Sequence, residues 1–204
     1  VRPEDFRNRW LTTNQFRDAI LLAWNDWLKD RKFDRAMDLT RVMSPLIERV
    51  RTLELIAQTS EQWAEAAQSA LDDAPFDRKR ELRPKSKERW VQSGKAHGDL
   101  ATGKLTGQGY PETVWTSAQH FERGGAFEKA LAQADEFIRV DPPRGIPRAR
   151  VFRGRMLMNL DRLSEAYESF QNVELNSPTD PSVFEARYLL GRCQLEMDRP
   201  EDAG

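Results

Sequence analysis

The sequence predicts an all-α protein, built as a helical-repeat solenoid of about nine to eleven helices. Apolar residues recur at steps of three and four through most of the chain, which is the period of an amphipathic helix rather than of a strand. Short breaks rich in Gly, Pro and Asp separate these stretches. In the C-terminal half, small residues also return at the spacing of stacked helical hairpins, since Ala130 and Ala166 are 36 positions apart.

Composition limits the classes of partner and compartment. The chain has 204 residues, of which 32 are basic and 33 acidic, and a formal net charge of −1 gives no overall field that would attract nucleic acid or an anionic membrane. No apolar run approaches the roughly 20 residues that span a bilayer, so this segment is expected to be soluble. The lone Cys193 forms no internal disulfide, and a cytoplasmic location is therefore favoured.

Residues 1–76 are predicted to form divergent helical hairpins. The first helix is expected over 3–30, with Pro3 in its first turn. Within it, Thr12 is followed three residues later by Gln15, the spacing of a capping box. The apolar residues that follow form one wide stripe, so one face of this helix should be buried.

A second helix is predicted to begin near Phe33 and to end at Ser44-Pro45. Proline removes a backbone donor and restricts the residue before it, which is why the helix should stop there. A third helix is predicted directly after the proline. Ser60 is then expected to be the N-cap of a fourth helix, which ends near Pro75.

Residues 77–110 are predicted to contain a basic connector, one helix and a Gly-rich loop. The stretch 77–89 is the most basic of the chain, and Pro84 is expected to interrupt any helix through it. A helix is predicted over about 86–101. Three closely spaced glycines then favour a loop: Gly103, Gly107 and Gly109.

Residues 111–204 are predicted to form a regular array of helices. The helical stretches are expected at about 112–123, 127–140, 147–160, 163–175 and 181–197. They are separated by four breaks: Gly124-Gly125, Asp141-Pro142-Pro143, Asp161-Arg162 and Ser177-Pro178.

The C-terminal array carries a recurring set of small and aromatic residues. In its best copy, Gly154 and Ala166 are placed where two helices touch, Phe170 lies one turn later, and Pro178 closes the unit. This pattern resembles the tetratricopeptide repeat (TPR) family, whose unit is a pair of helices. The resemblance covers the array and, with fewer matching residues, the first hairpin at 13–45, and it implies a right-handed solenoid.

Adjacent copies extend this register. Their equivalent residues are Ala118, Phe121, Ala130 and Pro142 in the copy before, and Gly191 and Ala203 in the copy after. Two helices approach closely only where the contacting side chains are small, so Gly and Ala should mark the near points. Aromatic side chains are expected to fill the wider gaps: Phe121, Phe137, Phe152, Tyr167, Phe170 and Phe184. The second helix of the last unit should begin at Ala203 but is missing, so the array is expected to be truncated at its C-terminal end. The chain also starts with Val rather than Met, and a fragment of a longer protein is therefore expected.

The resemblance also implies a binding groove, because first helices of this family line a concave face that receives peptides or partner helices. Carried over by position, this face comprises Trp115, Gln119, Glu122, Arg148, Val151, Arg155, Met158, Tyr188, Arg192 and Leu195. Its guanidinium groups could bind carboxylates through two parallel hydrogen bonds. The predicted partner is therefore a protein or peptide, acidic or bound through its C-terminus. The alternative is that these arginines are merely solvated.

Other chemistry has less support in the sequence. Residues 98–105 nearly match the phosphate-binding loop G-x-x-x-x-G-K-[ST], but Leu105 replaces the hydroxyl residue, and a helix rather than a strand is predicted before it. His97 and His120 have no partner at metal-ligand spacing. No catalytic signature is present. The chain is therefore predicted not to be an enzyme and to use no cofactor or metal.

The predicted function is a non-catalytic protein–protein interaction scaffold. One alternative is a helical accessory domain of a larger enzyme or regulatory protein. A less favoured alternative is a nucleic-acid or nucleotide-binding module at 78–104, where basic side chains would release counterions from phosphate. Self-association through exposed terminal helices also stays open, because each solenoid unit needs a neighbour or a polar cap.

Overall fold

A computed structural model describes residues 11–43, 46–105, 109–140 and 146–197. Within these ranges the regular structure is entirely helical, which confirms the predicted all-α class. The helices are α1 (Thr13–Lys29), α2 (Phe33–Met43), α3 (Arg49–Asp72), α4 (Phe76–Gly103), α5 (Tyr110–Arg123), α6 (Phe127–Val140), α7 (Ile146–Asn159), α8 (Leu163–Asn176) and α9 (Ser182–Met197). None of these described helices is long and apolar enough to cross a membrane. The chain divides into two compact units, Val1–Thr113 and Val114–Gly204.

The predicted capping box begins α1. The Thr12 hydroxyl oxygen accepts a hydrogen bond from the backbone N–H of Gln15 at 3.2 Å, and the Gln15 side chain accepts one from the Thr12 N–H at 2.9 Å. The helix therefore starts at Thr13. The predicted helix start at Pro3 and the predicted break at Ser44-Pro45 lie outside the described residues.

The core of the N-terminal unit lies between α1, α2 and α3. It is built from large apolar side chains together with one alanine: Trp24, Leu28, Phe33, Ala36, Met43, Leu46, Ile47 and Leu55. The indole N–H of Trp24 donates a buried hydrogen bond to the Thr59 hydroxyl at 3.1 Å. This bond ties α1 to α3 and satisfies a polar group that would otherwise be costly to bury.

The predicted helix boundary at Ser60 is wrong. Helix α3 runs without interruption from Arg49 to Asp72, and Ser60 is a buried residue in its middle. The stretch contains neither glycine nor proline, and buried Ala57 and Ala64 continue the apolar face past the serine. Packing along this face outweighs the local preference of serine for a helix start.

The predicted connector at 77–89 is also wrong, because α4 includes the whole basic stretch and Pro84 lies inside the helix. An interior proline removes one helical hydrogen bond. Contacts with α3 hold the helix on both sides of this defect: Lys79 Nζ donates to the Asp72 carbonyl at 3.1 Å, and Ser86 Oγ donates to the Gln68 side chain at 2.9 Å. Tertiary contact therefore preserves α4 through Pro84.

In the C-terminal unit, helices α5 to α9 begin and end within two residues of their predicted bounds. Two of the predicted breaks have the left-handed backbone that ends a helix, with φ of 73° at Gly125 and 62° at Asp161. Pro142 and Ala203 lie outside the described residues.

Small residues mark the near points of this unit, as predicted. The predicted Ala118, Ala130 and Ala166 are fully buried, and so are Ala134, Ala149 and Ala186, which were not among the predicted contacts. A Cβ atom built on Gly154 would lie 2.3 Å from Cε1 of Phe170, so the Phe170 ring occupies the space that a side chain at Gly154 would need. The predicted burial of Phe184 is wrong, since this side chain is 73% exposed. A Cβ atom on Gly191 would meet nothing within 4 Å among the described residues.

Candidate functional site

The predicted binding face lies on helices α5, α7 and α9, and side-chain contacts join parts of it. Arg155 of α7 is central. Its Nη2 donates to Glu122 Oε1 of α5 at 3.1 Å, and its Nη1 donates to Glu185 Oε1 of α9 at 3.4 Å. One guanidinium group thus connects three helices that are not consecutive in the chain.

Arg155 is already neutralised by these two carboxylates. Its third nitrogen, Nε, is buried and has no hydrogen-bond partner in the described part of the chain. Leaving such a donor unpaired costs free energy, which the two ion pairs and the contact with Phe152, 5.6 Å from the guanidinium carbon, help to offset. A ligand carboxylate would have to compete with Glu122 and Glu185 for this positive charge.

Glu122 occupies an unusual electrostatic position. Burial raises the pKa of its carboxyl group above the ordinary value of 4.5; Arg155 and Arg123 oppose this shift, and Glu185 adds to it. The desolvation of a half-buried carboxylate is therefore only partly compensated by the guanidinium group.

We expect the substitution Glu122→Gln to change how stability depends on pH. A carboxyl group with a raised pKa in the folded state stabilises the fold below its unfolded pKa, and this contribution is lost as the pH rises through the folded pKa. As the pH rises from 4.5 towards neutrality, the wild-type melting temperature should therefore fall relative to that of the variant. Melting curves across this range measure the effect. The exposed Glu168→Gln is the control, and parallel curves for wild type and Glu122→Gln would contradict the prediction.

Two predicted site residues are buried core side chains. Trp115 is only 8% exposed and packs against Phe137 and Phe152. The centroid of its ring lies 4.9 Å from that of Phe137 and 5.0 Å from that of Phe152. Val151 is also buried. The guanidinium carbon of Arg148 lies over the Trp115 ring, 4.7 Å from its centroid. Trp115 therefore orients Arg148 through a cation–π contact rather than offering its own ring to a partner.

A shallow groove of 220 Å³ lies between α7 and α9. It is lined by Arg155, Met158, Asn159, Leu189, Arg192 and Glu196. Three predicted site residues, Arg155, Met158 and Arg192, therefore come together here. Arg192 pairs with Glu196 at 2.7 Å, and this hydrogen bond raises the pKa of the guanidinium group.

The predicted residues on the outer side of α9 are exposed. Tyr188 is 67% and Leu195 61% exposed, and Phe184 extends the same line of the helix by one turn. We call Phe184, Tyr188 and Leu195 the apolar row. Gln119 of α5 is half-buried.

Sequence reasoning missed Glu185, Leu189 and Glu196, which complete the ion pairs and the groove. Glu196 follows Arg192 by four positions, a spacing that signals a helical ion pair. Glu185 carries no comparable signal, because its partner is 30 positions away.

The segment that nearly matches a phosphate-binding loop has a different structure. Residues 98–103 belong to the end of α4, and Lys104 Nζ pairs with Glu54 Oε1 of α3 at 2.9 Å. A phosphate loop instead needs a glycine-rich turn after a strand and a lysine free to reach the phosphate. The described residues also contain no group of three His, Cys, Asp or Glu side chains that could hold a metal ion.

Comparison with known proteins gives no assignment for this surface. No protein-family model matches the chain, and no curated protein matches it significantly.

Proposed function

We propose that this protein is a non-catalytic interaction scaffold, with a TPR-like, right-handed helical solenoid over 111–204 that binds a partner protein at α7 and α9. The proposal is supported by the alternation of short helices and tight turns, and by small residues at the helix contacts. The function rests on the exposed surface rather than on the architecture, because one fold serves many functions.

The observation that carries the proposal is the apolar row on α9. Its three large side chains are more than half exposed and lie at positions i, i+4 and i+11, along one side of the helix. Gly191 lies in the same line, and no described residue crowds it, which allows another helix to approach α9 closely. Contiguous exposed apolar side chains of this kind mark protein interaction sites.

Charge around the row indicates the character of the partner. Arg155 is ion-paired with two carboxylates, whereas Arg148 contacts a ring and has no carboxylate partner in the described residues. Arg192 has a single, exposed partner that water and salt can replace. The partner we propose is an amphipathic helix, with an apolar face for the row and acidic residues at its edge for Arg148 and Arg192.

The test is affinity capture from extracts of the source cells, followed by binding measurements with each purified partner. The double substitution Phe184→Ser and Tyr188→Ser removes most of the apolar row. We expect it to weaken binding of the partner by about tenfold or more, because aromatic anchors dominate interface energies. Changing Arg148 and Arg192 to Ala should lower the affinity less and reduce its dependence on salt.

Phe76→Ser is the matched control, since Phe76 is 93% exposed on α4 in the other unit. Every partner of the row should be retained by this variant. Equal retention by the row variant and by Phe76→Ser, with both proteins folded by circular dichroism, would reject the proposal.

A further inference from the structure

The N-terminal unit contains an open cavity of 450 Å³ between α2, α3 and α4. This volume lies within the range of about 300–1,000 Å³ that is typical of small-ligand sites. Helix α3 packs against both neighbours and forms the floor, where Ile56 and Trp63 contribute apolar surface. Helices α2 and α4 form the two walls.

A three-layer stack fixes one end of the cavity. Trp63 stacks on Phe33 with ring centroids 5.8 Å apart and an interplanar angle of 20°. On the cavity lining, the guanidinium carbon of Arg89 lies only 3.4 Å from the Trp63 ring centroid. Arg89 Nη1 also donates to the Gln92 side chain at 2.7 Å. Arg89 is thus positioned in advance of any ligand, and its Nε and Nη2 have no hydrogen-bond partner in the described part of the chain.

The two walls carry opposite net charge. On α2, Arg41 pairs with Asp38 at 3.0 Å, which leaves the charge of Asp34. On α4, the charges of Arg89 and Lys95 exceed that of Asp99 by one. In the described part of the chain no ion pair joins the walls, and neither Asp34 nor Lys95 has an ion-pair partner. The cavity therefore separates charges that a bound molecule could bridge.

The length of the cavity along α4 indicates how long a bound molecule can be. Arg89 and Asp99 are ten residues apart on α4, which corresponds to about 15 Å along a helix. An extended chain advances about 3.3 Å per residue, so about four to five residues match this length.

We propose that this cavity binds a dipolar ligand of peptide character, with a carboxylate at Arg89 and Lys95 and an ammonium or guanidinium group at Asp34. Its apolar stem lies against Met37 and Ile56. The same chemistry is present in a free short peptide and in a segment of a partner protein. This site is independent of the α9 surface, and it involves different residues in a different unit.

The first test uses blocked tripeptides and nuclear magnetic resonance titration of the whole chain. The dipolar probe is acetyl-Lys-Ala-Glu-amide. The single-charge probes are acetyl-Lys-Ala-Gln-amide and acetyl-Gln-Ala-Glu-amide. We expect the dipolar probe to bind up to about fivefold more tightly than either single-charge probe, because it forms one more partly solvated ion pair. Amide shifts should centre on α2 and α4.

The free-ended peptide Lys-Ala-Glu distinguishes the two sources of the ligand. If it binds more tightly than acetyl-Lys-Ala-Glu-amide, the source is a free peptide. If the two bind equally, the source is a segment of a partner protein.

Charge-neutral variants locate the site. Asp34→Asn should weaken the two lysine-containing probes and leave the glutamate-only probe unchanged, a pattern that a general loss of structure would not produce. Arg89→Gln should weaken the two glutamate-containing probes. Arg83→Gln is the control, because Arg83 is an exposed arginine of the same helix outside the cavity lining. Equal affinities for all three probes, no binding, or equal effects of Arg83→Gln and Arg89→Gln would overturn the proposal.

Discussion

Ala166→Arg should lower the free energy of unfolding by about 3–5 kcal/mol, the largest effect expected for any single change proposed for this chain. Ala166 is completely buried on α8, at a near point between helices. The longer side chain must push the helices apart, or else bury a guanidinium group without a partner. Urea denaturation, monitored by circular dichroism, measures the change in unfolding free energy. A variant that is already unfolded without urea would also confirm the predicted destabilisation.

The control is Ala132→Arg, the same substitution at an exposed position of α6. Arginine and alanine have similar helix propensities, so this variant should remain within about 0.5 kcal/mol of wild type. A normal denaturation curve for Ala166→Arg would show that the assigned register of the α7–α8 pair is incorrect.

Gly154→Ala should destabilise the protein by about 1–3 kcal/mol, although alanine normally stabilises a helix interior relative to glycine by about 1 kcal/mol. The reason is steric. The added Cβ would lie 2.3, 2.5 and 2.8 Å from three ring atoms of Phe170, and that ring is itself completely buried. A close-packed interior leaves the ring no space to move without disturbing other contacts.

Gly191→Ala is the matched control, because Gly191 is also inside a helix but a Cβ there meets no described residue within 4 Å. It should gain up to about 1 kcal/mol of stability. Adding Phe170→Leu to Gly154→Ala should cost less than the sum of the two single changes, since leucine removes the clashing ring atoms. Strict additivity, or a stabilising Gly154→Ala, would contradict the close approach of this ring.

Local sequence signals were sufficient where the chain itself fixes the conformation. Residues within a few positions were enough to predict three kinds of feature: the breaks that contain Gly125 and Asp161, the capping box of Thr12, and the bounds of α6. These features depend on backbone sterics and short-range hydrogen bonds, which are determined by the identities of neighbouring residues.

Signals of the same kind failed where distant contacts decide the outcome. Ser60 and Pro84 are local helix-boundary residues, yet packing and hydrogen bonds between α3 and α4 keep both helices continuous. Phe184 is apolar and at helical spacing, but its burial depends on whether another helix covers it. Hydrophobicity predicts that a side chain can be buried and does not identify the neighbour that would bury it.

The candidate site was predictable in outline only. The repeat register placed Arg155, Met158 and Arg192 on one face, and the structure brings them into one groove. The register could not show that Glu122 and Glu185 already neutralise Arg155, because these partners are 33 and 30 positions away. The charge available to a partner depends on such pairings rather than on the number of arginines.

The three-helix contact of Arg155 bears on how the C-terminal unit unfolds. In a solenoid each repeat normally contacts only its neighbours, so unfolding can begin at one end and proceed repeat by repeat. Here one guanidinium group links α5, α7 and α9, and losing α9 removes a carboxylate from Arg155 of α7. Fraying of α9 therefore removes an interaction of α7, so part of the stability of α7 depends on α9 being folded.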